Sequence, residues 1–324
     1  MGRKKSILFF ISLFTIVLAL IIAVLLYGNF TKEQKYGNSE GNIVNHLAHI
    51  TKDDEYSYIA LNNGIYKGTN IASLEKIAEG DYSYLNYMDG KLYGHDDKLG
   101  AIIEMNADGT EKKVLYQEGF VAGPWVVSNN IYFEDFDKNS FFRIKEGSGN
   151  LKEIEHKEGE WEQWIFSPAK DRDFEYSLWE KGFDLENSQH TEKAVYVLGQ
   201  IENSSEIDGK LYCYEYGTEE GELLTEGIFQ FNIAGNKIYY LISGENKSEL
   251  CVMRMELDGS GKEKISKIIL PEPVKAAGVG VGRDILYLSV ALEPTGFEHI
   301  WFLVDIETGE YVQVMEDDTF VRPQ

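Results

Sequence analysis

Cysteine and proline are scarce in this chain of 324 residues, which has two of the first and six of the second. Two cysteines cannot build a disulfide framework, and no CxxC pair offers a thiolate metal site. Cys213 in LYCYEY and Cys251 in ELCVMRM fall on comparable strands of successive units. Equivalent strands of neighbouring units usually lie too far apart for disulfide geometry, so two buried free thiols are expected. Positive charge is also short, with 31 basic against 54 acidic residues and a net charge of −23. Such a surface repels nucleic acid and anionic lipid. No GxSxG or HExxH motif occurs, and no cofactor is expected. Gly278-Val-Gly280-Val-Gly282 lacks the spacing of a phosphate loop and reads as a Gly-rich inner strand near a crowded axis. Carboxylate pairs are too plentiful among 54 acids to mark a glycosidase. Beyond residue 50 no segment carries a long apolar stripe of 3.6-residue period, which leaves an all-β architecture.

One hydrophobic run is long. Ile7 to Leu26 is twenty residues without a charge, the length of a membrane-spanning helix. It ends without a small-x-small cleavage site, so it reads as a retained signal anchor. Arg3, Lys4 and Lys5 precede it and keep the N-terminus cytoplasmic, with the rest of the chain extracellular. Residues 1–28 are thus a cytoplasmic stub and transmembrane anchor. Residues 29–42, polar and without periodicity, read as a flexible tether.

The remainder repeats. An apolar-Tyr strand recurs at Tyr56–Leu61, Lys91–Tyr93, Asn130–Phe133, Phe174–Trp179, Lys237–Leu241 and Ile285–Leu288, mostly 35 to 48 residues apart. The gap after Phe174 is longer and also holds KAVYVLGQ and GKLYCYEY. Asp-Gly pairs at Asp89, Asp108, Asp208 and Asp258 supply the positive φ of tight hairpins. Four short strands per unit of this period predict a β-propeller over 43–316, with six blades and seven as the alternative, and a C-terminal tail over 317–324. Val44–Ile50 and Tyr311–Val314 are candidates for closing the ring.

Ile238-Tyr-Tyr240, Met253-Arg-Met255, Leu257-Asp-Gly-Ser260 and Phe142-Arg-Ile144 together resemble the bacterial DUF5050 propellers, relatives of the YWTD propeller of lipoprotein-receptor proteins. The YWTD tetrapeptide itself is absent. The resemblance covers roughly residues 42 to 315 and implies a propeller fold and an extracellular binding role. It transfers no catalytic residue.

Three constellations bear on chemistry. Trp161, Trp164 and Trp179 crowd the unit that departs most from the repeat, with Glu160, Arg172 and Asp173 beside them. Aromatics with carboxylates stack on sugars or clamp peptides. Asp135, Asp137 and Asn139 fit the start of a calcium loop, with Glu146 at its end. Ser140 stands where that loop needs glycine, and the strand-like Phe141–Lys145 would carry Glu146 away, so an acidic hairpin turn is expected. His46 and His49 would face opposite sides of a strand, so no joint metal site is expected. The chain reads as a membrane-anchored binding module for a protein, peptide or glycan. The alternatives are a carbohydrate hydrolase or lyase using channel carboxylates, and a scaffold of an envelope complex.

Overall fold

A computed structural model describes residues 35–147, 149–154, 178, 183–200, 207–294 and 299–322. The apolar run Ile7–Leu26 lies outside them. Among the described residues no helix is long and apolar enough to cross a membrane.

Each repeat folds into one antiparallel sheet whose strands follow chain order. Sheet one is β1 to β4 (Ile50–Lys52, Ser57–Leu61, Gly64–Gly68, Glu75–Glu79). Sheet two is β5 to β8 (Tyr82–Met88, Lys91–Asp96, Ala101–Asn106, Lys113–Tyr116). Sheet three is β9 to β12 (Val121–Val127, Asn130–Asp135, Ser140–Lys145, Leu151–Ile154). Sheet four is β13 to β16 (Phe183–His190, Ala194–Gln200, Ile207–Glu215, Glu222–Thr225). Sheet five is β17 to β20 (Ile228–Ala234, Lys237–Ser243, Glu249–Glu256, Glu263–Ile269). Sheet six is β21 to β25 (Val274–Val281, Ile285–Leu292, His299–Asp305, Tyr311–Val314, Phe320–Val321).

Six such sheets fit the six blades of a β-propeller. Second strands are apolar on both faces because each sheet is packed on both sides. Ser57–Leu61 is buried throughout, whereas the fourth strands Glu75–Glu79 and Leu151–Ile154 are largely exposed. The seams carry separate cores. Ile65, Leu85, Leu92 and Ile103 join sheets one and two; Leu241, Val252, Leu286 and Phe302 join sheets five and six; Ile59, Tyr66, Tyr287 and Leu303 join sheets six and one.

The second strand of sheet four is Ala194–Gln200. Phe174–Trp179, expected in that place, falls outside the described residues except for Leu178, and the longer gap belongs to sheet four alone. Cys213 and Cys251 do lie on third strands of successive sheets, β15 and β19, and both are free thiols. Cys251 is buried, and Cys213 is half-buried.

The largest departure concerns residues 36–50. Tyr36 to Asn42, placed by sequence in the tether, run into the axis together with α1 (Glu40–Val44). The first strand of each sheet is an edge whose N–H and C=O groups face the axis and need partners. Asparagine, with a donor and an acceptor on one planar amide, supplies both. The Asn42 amide donates to Val281 O (3.0 Å) and its carbonyl accepts from Val281 N (2.7 Å), as a paired strand would. Asn45 Nδ2 donates to Phe231 O at 2.7 Å. Further bonds reach Val126 O from Gly37 N, Leu85 N from Ala48 O and Ala60 N from His49 O. Glu40 accepts from the backbone and ring of His190. The segment therefore touches all six sheets. Gly280 is on β21 as the Gly-rich inner strand requires; a Cβ there would lie 2.8 Å from Ile50 and 3.2 Å from Leu47 O.

Among the described residues sheets one and six exchange no strand. Val44 closes α1 and Ile50 starts the first strand of sheet one, while Tyr311–Val314 is the fourth strand of sheet six. Closure is by packing and by the C-terminal residues, which are part of the last sheet. Asp318 accepts from Asn63 N (2.9 Å) and from the Tyr66 hydroxyl (3.0 Å) across the seam to sheet one.

Candidate functional site

The antiparallel order puts all second-to-third turns and all links to the next sheet on one face. On this face, at the seam of sheets six, one and two, two cavities share Asn62, Trp301 and Val314 as a common wall. The deeper, of 80 Å³, is lined by His49, Asp81, Tyr82 and Tyr287. The broader, of 1010 Å³, runs over His299, Gln313, Met315, Glu316, Asp317 and Thr319.

Each side chain is placed by its element. His49 ends the axial segment just before β1, and its ring meets Tyr287 at 5.8 Å between centroids. Tyr287 sits on β22 and is 5% exposed. Its hydroxyl makes no hydrogen bond among the described residues, and the residue lines the cavity. Trp301 on β23 is half-buried opposite Val314. Asp81 precedes β5 at the mouth; its carboxylate makes no hydrogen bond or ion pair within the described residues.

Burial holds the His49 imidazole below its usual value, against the pull of Asp97, a backbone hydrogen bond at Tyr82, and Asp81. Burial, then Asp97, pushes the Asp81 carboxyl up; Lys98 and His49 offset this in part. Burial, then Asp318, pushes the Tyr287 hydroxyl up. At neutral pH the deep cavity thus holds a neutral phenol and a neutral imidazole, beside a carboxylate lacking a bonded partner. Asp97 is engaged, accepting from His95 Nδ1 (2.7 Å) and Ser83 Oγ (3.0 Å).

The same face carries an exposed aromatic pair at the seam of sheets two and three. Phe120 and Phe136 stand 5.3 Å apart, 67% and 48% exposed.

The residues named from sequence fare differently. Glu160, Trp161, Trp164, Arg172, Asp173 and Trp179 lie outside the described residues. Asp135, Asp137 and Asn139 form a hairpin turn rather than a calcium loop. Burial would raise the Asp135 carboxyl, but the Tyr116 hydroxyl and the Lys138 N–H and ammonium outweigh it and hold it low. Asp137 is taken by Phe120 N at 3.0 Å. Strand β11 carries Glu146 to its far end, where Tyr93 donates to it at 3.2 Å. Among the described residues no three metal-ligating side chains converge. His49 and Trp301 were missed as site residues. Their sequence signals, a lone histidine and a tryptophan on an apolar strand, match those of core residues.

No family model matches the chain, and no curated protein matches it. Among solved structures it is similar to an oligogalacturonate lyase in complex with manganese, at 11% identity over 82% of this chain and 74% of that one, with a TM-score of 0.31. A nidogen/laminin complex, which includes a YWTD-type propeller, gives 15% identity over 69% and 81% with a TM-score of 0.30. The tricorn protease gives 13% over 82% of this chain with a TM-score of 0.28, and only 26% of its own length is covered. Likenesses this distant carry no argument about the site.

Proposed function

We propose that this chain is a binding propeller that takes a protein, peptide or glycan ligand on the face bearing the sheet six–one–two cavity. The observation that carries this reading is the cavity itself, where the half-buried Trp301 stands with Tyr287 and with Asp81, whose carboxylate has no hydrogen bond or ion pair among the described residues. A concave site lined by aromatic rings and a few polar groups is the ordinary form of a ligand site. Axial catalysis by channel carboxylates is the weaker reading, because residues 36–50 run through the axis and bring one carboxylate there, Glu40, which is bonded to His190. The uncharged run Ile7–Leu26, preceded by Arg3, Lys4 and Lys5, supports a membrane-anchored, extracytoplasmic setting.

The test uses the full chain in detergent against arrays of peptides and neutral glycans. Trp301→Ala is expected to cut retained ligand at least about tenfold, the scale of a lost aromatic anchor. Leu223→Ala, on an exposed outer strand, should leave binding intact. Wild-type retention by Trp301→Ala on every array would sink the reading.

A further inference from the structure

The two cavities differ in what they admit. The deep one, at 80 Å³, has room for roughly two or three water-sized groups at ~30 Å³ each. That suits the tip of a chain and not a sugar ring. The broad trough of 1010 Å³ suits an extended segment lying across it. A ligand using both is a strand of peptide that inserts one thin side chain.

Charge narrows the choice. Asp81, Glu316 and Asp317 line the two cavities, and among the described residues no lysine or arginine does. An anionic ligand would meet carboxylates without a counter-charge. The rings of Trp301 and Tyr287 line the deep cavity, and aromatic faces attract an ammonium or guanidinium; the Tyr82 ring already has the Lys112 ammonium 4.9 Å from its centroid. Tyr287 also lines the deep cavity, and its hydroxyl, which makes no hydrogen bond among the described residues, can accept from a cationic N–H. Asp81 stands at the mouth without an ion pair among the described residues. Lys98 does act on it electrostatically, and so does His49.

We infer that the deep cavity takes the cationic tip of a lysine or arginine side chain from a basic peptide lying in the trough, with Trp301 and Tyr287 as its walls and Asp81 as its counter-ion. This rests on the reading of the cavity as the ligand site. It also gives the −23 charge a use, since a chain so acidic draws basic peptides toward it at low ionic strength.

Asp81 carries a signature that a merely structural acid would not. Burial and the neighbouring Asp97 make its ionised form costly in the empty cavity. Its folded pKa is raised, so the folded chain holds this proton more tightly than the unfolded one. The linked stability is greater at low pH and falls as pH rises through that raised value. Asp81→Asn therefore should not lower the thermal midpoint at neutral pH, yet should weaken cation binding.

Calorimetry on the full chain in detergent, with acetyl-Gly-Lys-Gly-amide, its Nε-acetyl-lysine counterpart and chitotriose, decides the matter. The lysine peptide should bind saturably. Nε-acetylation, Asp81→Asn and Trp301→Ala should each weaken it about tenfold or more, with the Asp81→Asn midpoint unchanged or raised. Equal affinity for the acetylated peptide, or chitotriose binding that Trp301→Ala abolishes while the lysine peptide does not bind, overturns the cation and keeps the binding site. Lysine-peptide binding indifferent to both substitutions overturns the site as well. No saturable binding of the lysine peptide at millimolar concentration overturns the cation.

Discussion

Single side chains close this ring where sheets six and one meet. Asp318, 7% exposed and held at φ 63°, accepts from the N–H of Asn63 and the hydroxyl of Tyr66. Both donors belong to sheet one, and Asp318 hangs from sheet six. Asp318→Ala leaves two donors in the seam without their partner, each worth about 1–3 kcal/mol when buried and unpaired. The expected loss is about 2–3 kcal/mol in urea unfolding, with the same m-value. A loss under about 0.5 kcal/mol would show that water replaces the carboxylate. None of this was legible in residues 317–324, which read as a polar tail. The same holds for His49 and Trp301, because a cavity is made by residues far apart in sequence and periodicity reports only near neighbours. The strand after Asp135 was legible in Phe141–Lys145, and it is β11 that carries Glu146 away from the turn.

At the scale of the element, the Asp-Gly turns do more than reverse the chain. In the turn after β7, Asp108 accepts from the N–H and hydroxyl of Thr110, and Asp258 does the same with Ser260 after β19. The hydrogen bonds hold both carboxyls below the usual range. Gly109, at φ 83°, presses on the preceding sheet; a Cβ there would lie 1.9 Å from Ile77 O. Gly90 has a similar φ of 87° but nothing within 4 Å. The pair separates conformation from docking. Gly90→Ala should cost about 1–2 kcal/mol, the strain of a left-handed alanine. Gly109→Ala should cost at least about 1 kcal/mol more, because the turn must lift off sheet one. Equal losses in parallel urea titrations would remove the docking role. The turns themselves were legible from Asp-Gly between apolar runs. Their contact with the neighbouring sheet was not, because it depends on how the units stack. Strand existence was legible wherever the apolar-Tyr pattern was intact among the described residues, and the second strand of sheet four is Ala194–Gln200, in the KAVYVLGQ stretch.

For the propeller as a whole, the question is what holds six separate seams together. Among the described residues no strand is exchanged between sheets, and the axial segment bonds to all six of them. Asn38, Asn42 and Asn45 are all buried, and Asn42 is wholly so. Side chains on the first strands repeat the same device between neighbouring sheets: Asn86 bridges to Pro124 O and Val126 N, and Gln189 to Phe231 O and Ile233 N. Fit is close enough that a Cβ on Gly41 would stand 2.3 Å from Asn232 Oδ1 and 2.4 Å from Gln189 Oε1. Polar composition made this stretch read as a tether, because buried asparagines that pair strand edges resemble those of a linker. If the segment is the hub, Asn42→Ala should weaken sheets one, five and six together. It removes the amide that serves Val281 N, Val281 O, Ile50 O, Asn38 and Asn232. The expected cost is about 3–5 kcal/mol, as for a buried hydrogen-bond network broken at its centre. Fluorescence and circular dichroism should report one coincident transition at lower urea. Hydrogen exchange should show protection falling in the first strands of sheets five and six together, not in β21 alone. Protection lost only around Val281 would mean that Asn42 serves one sheet locally and that the seams hold without a hub.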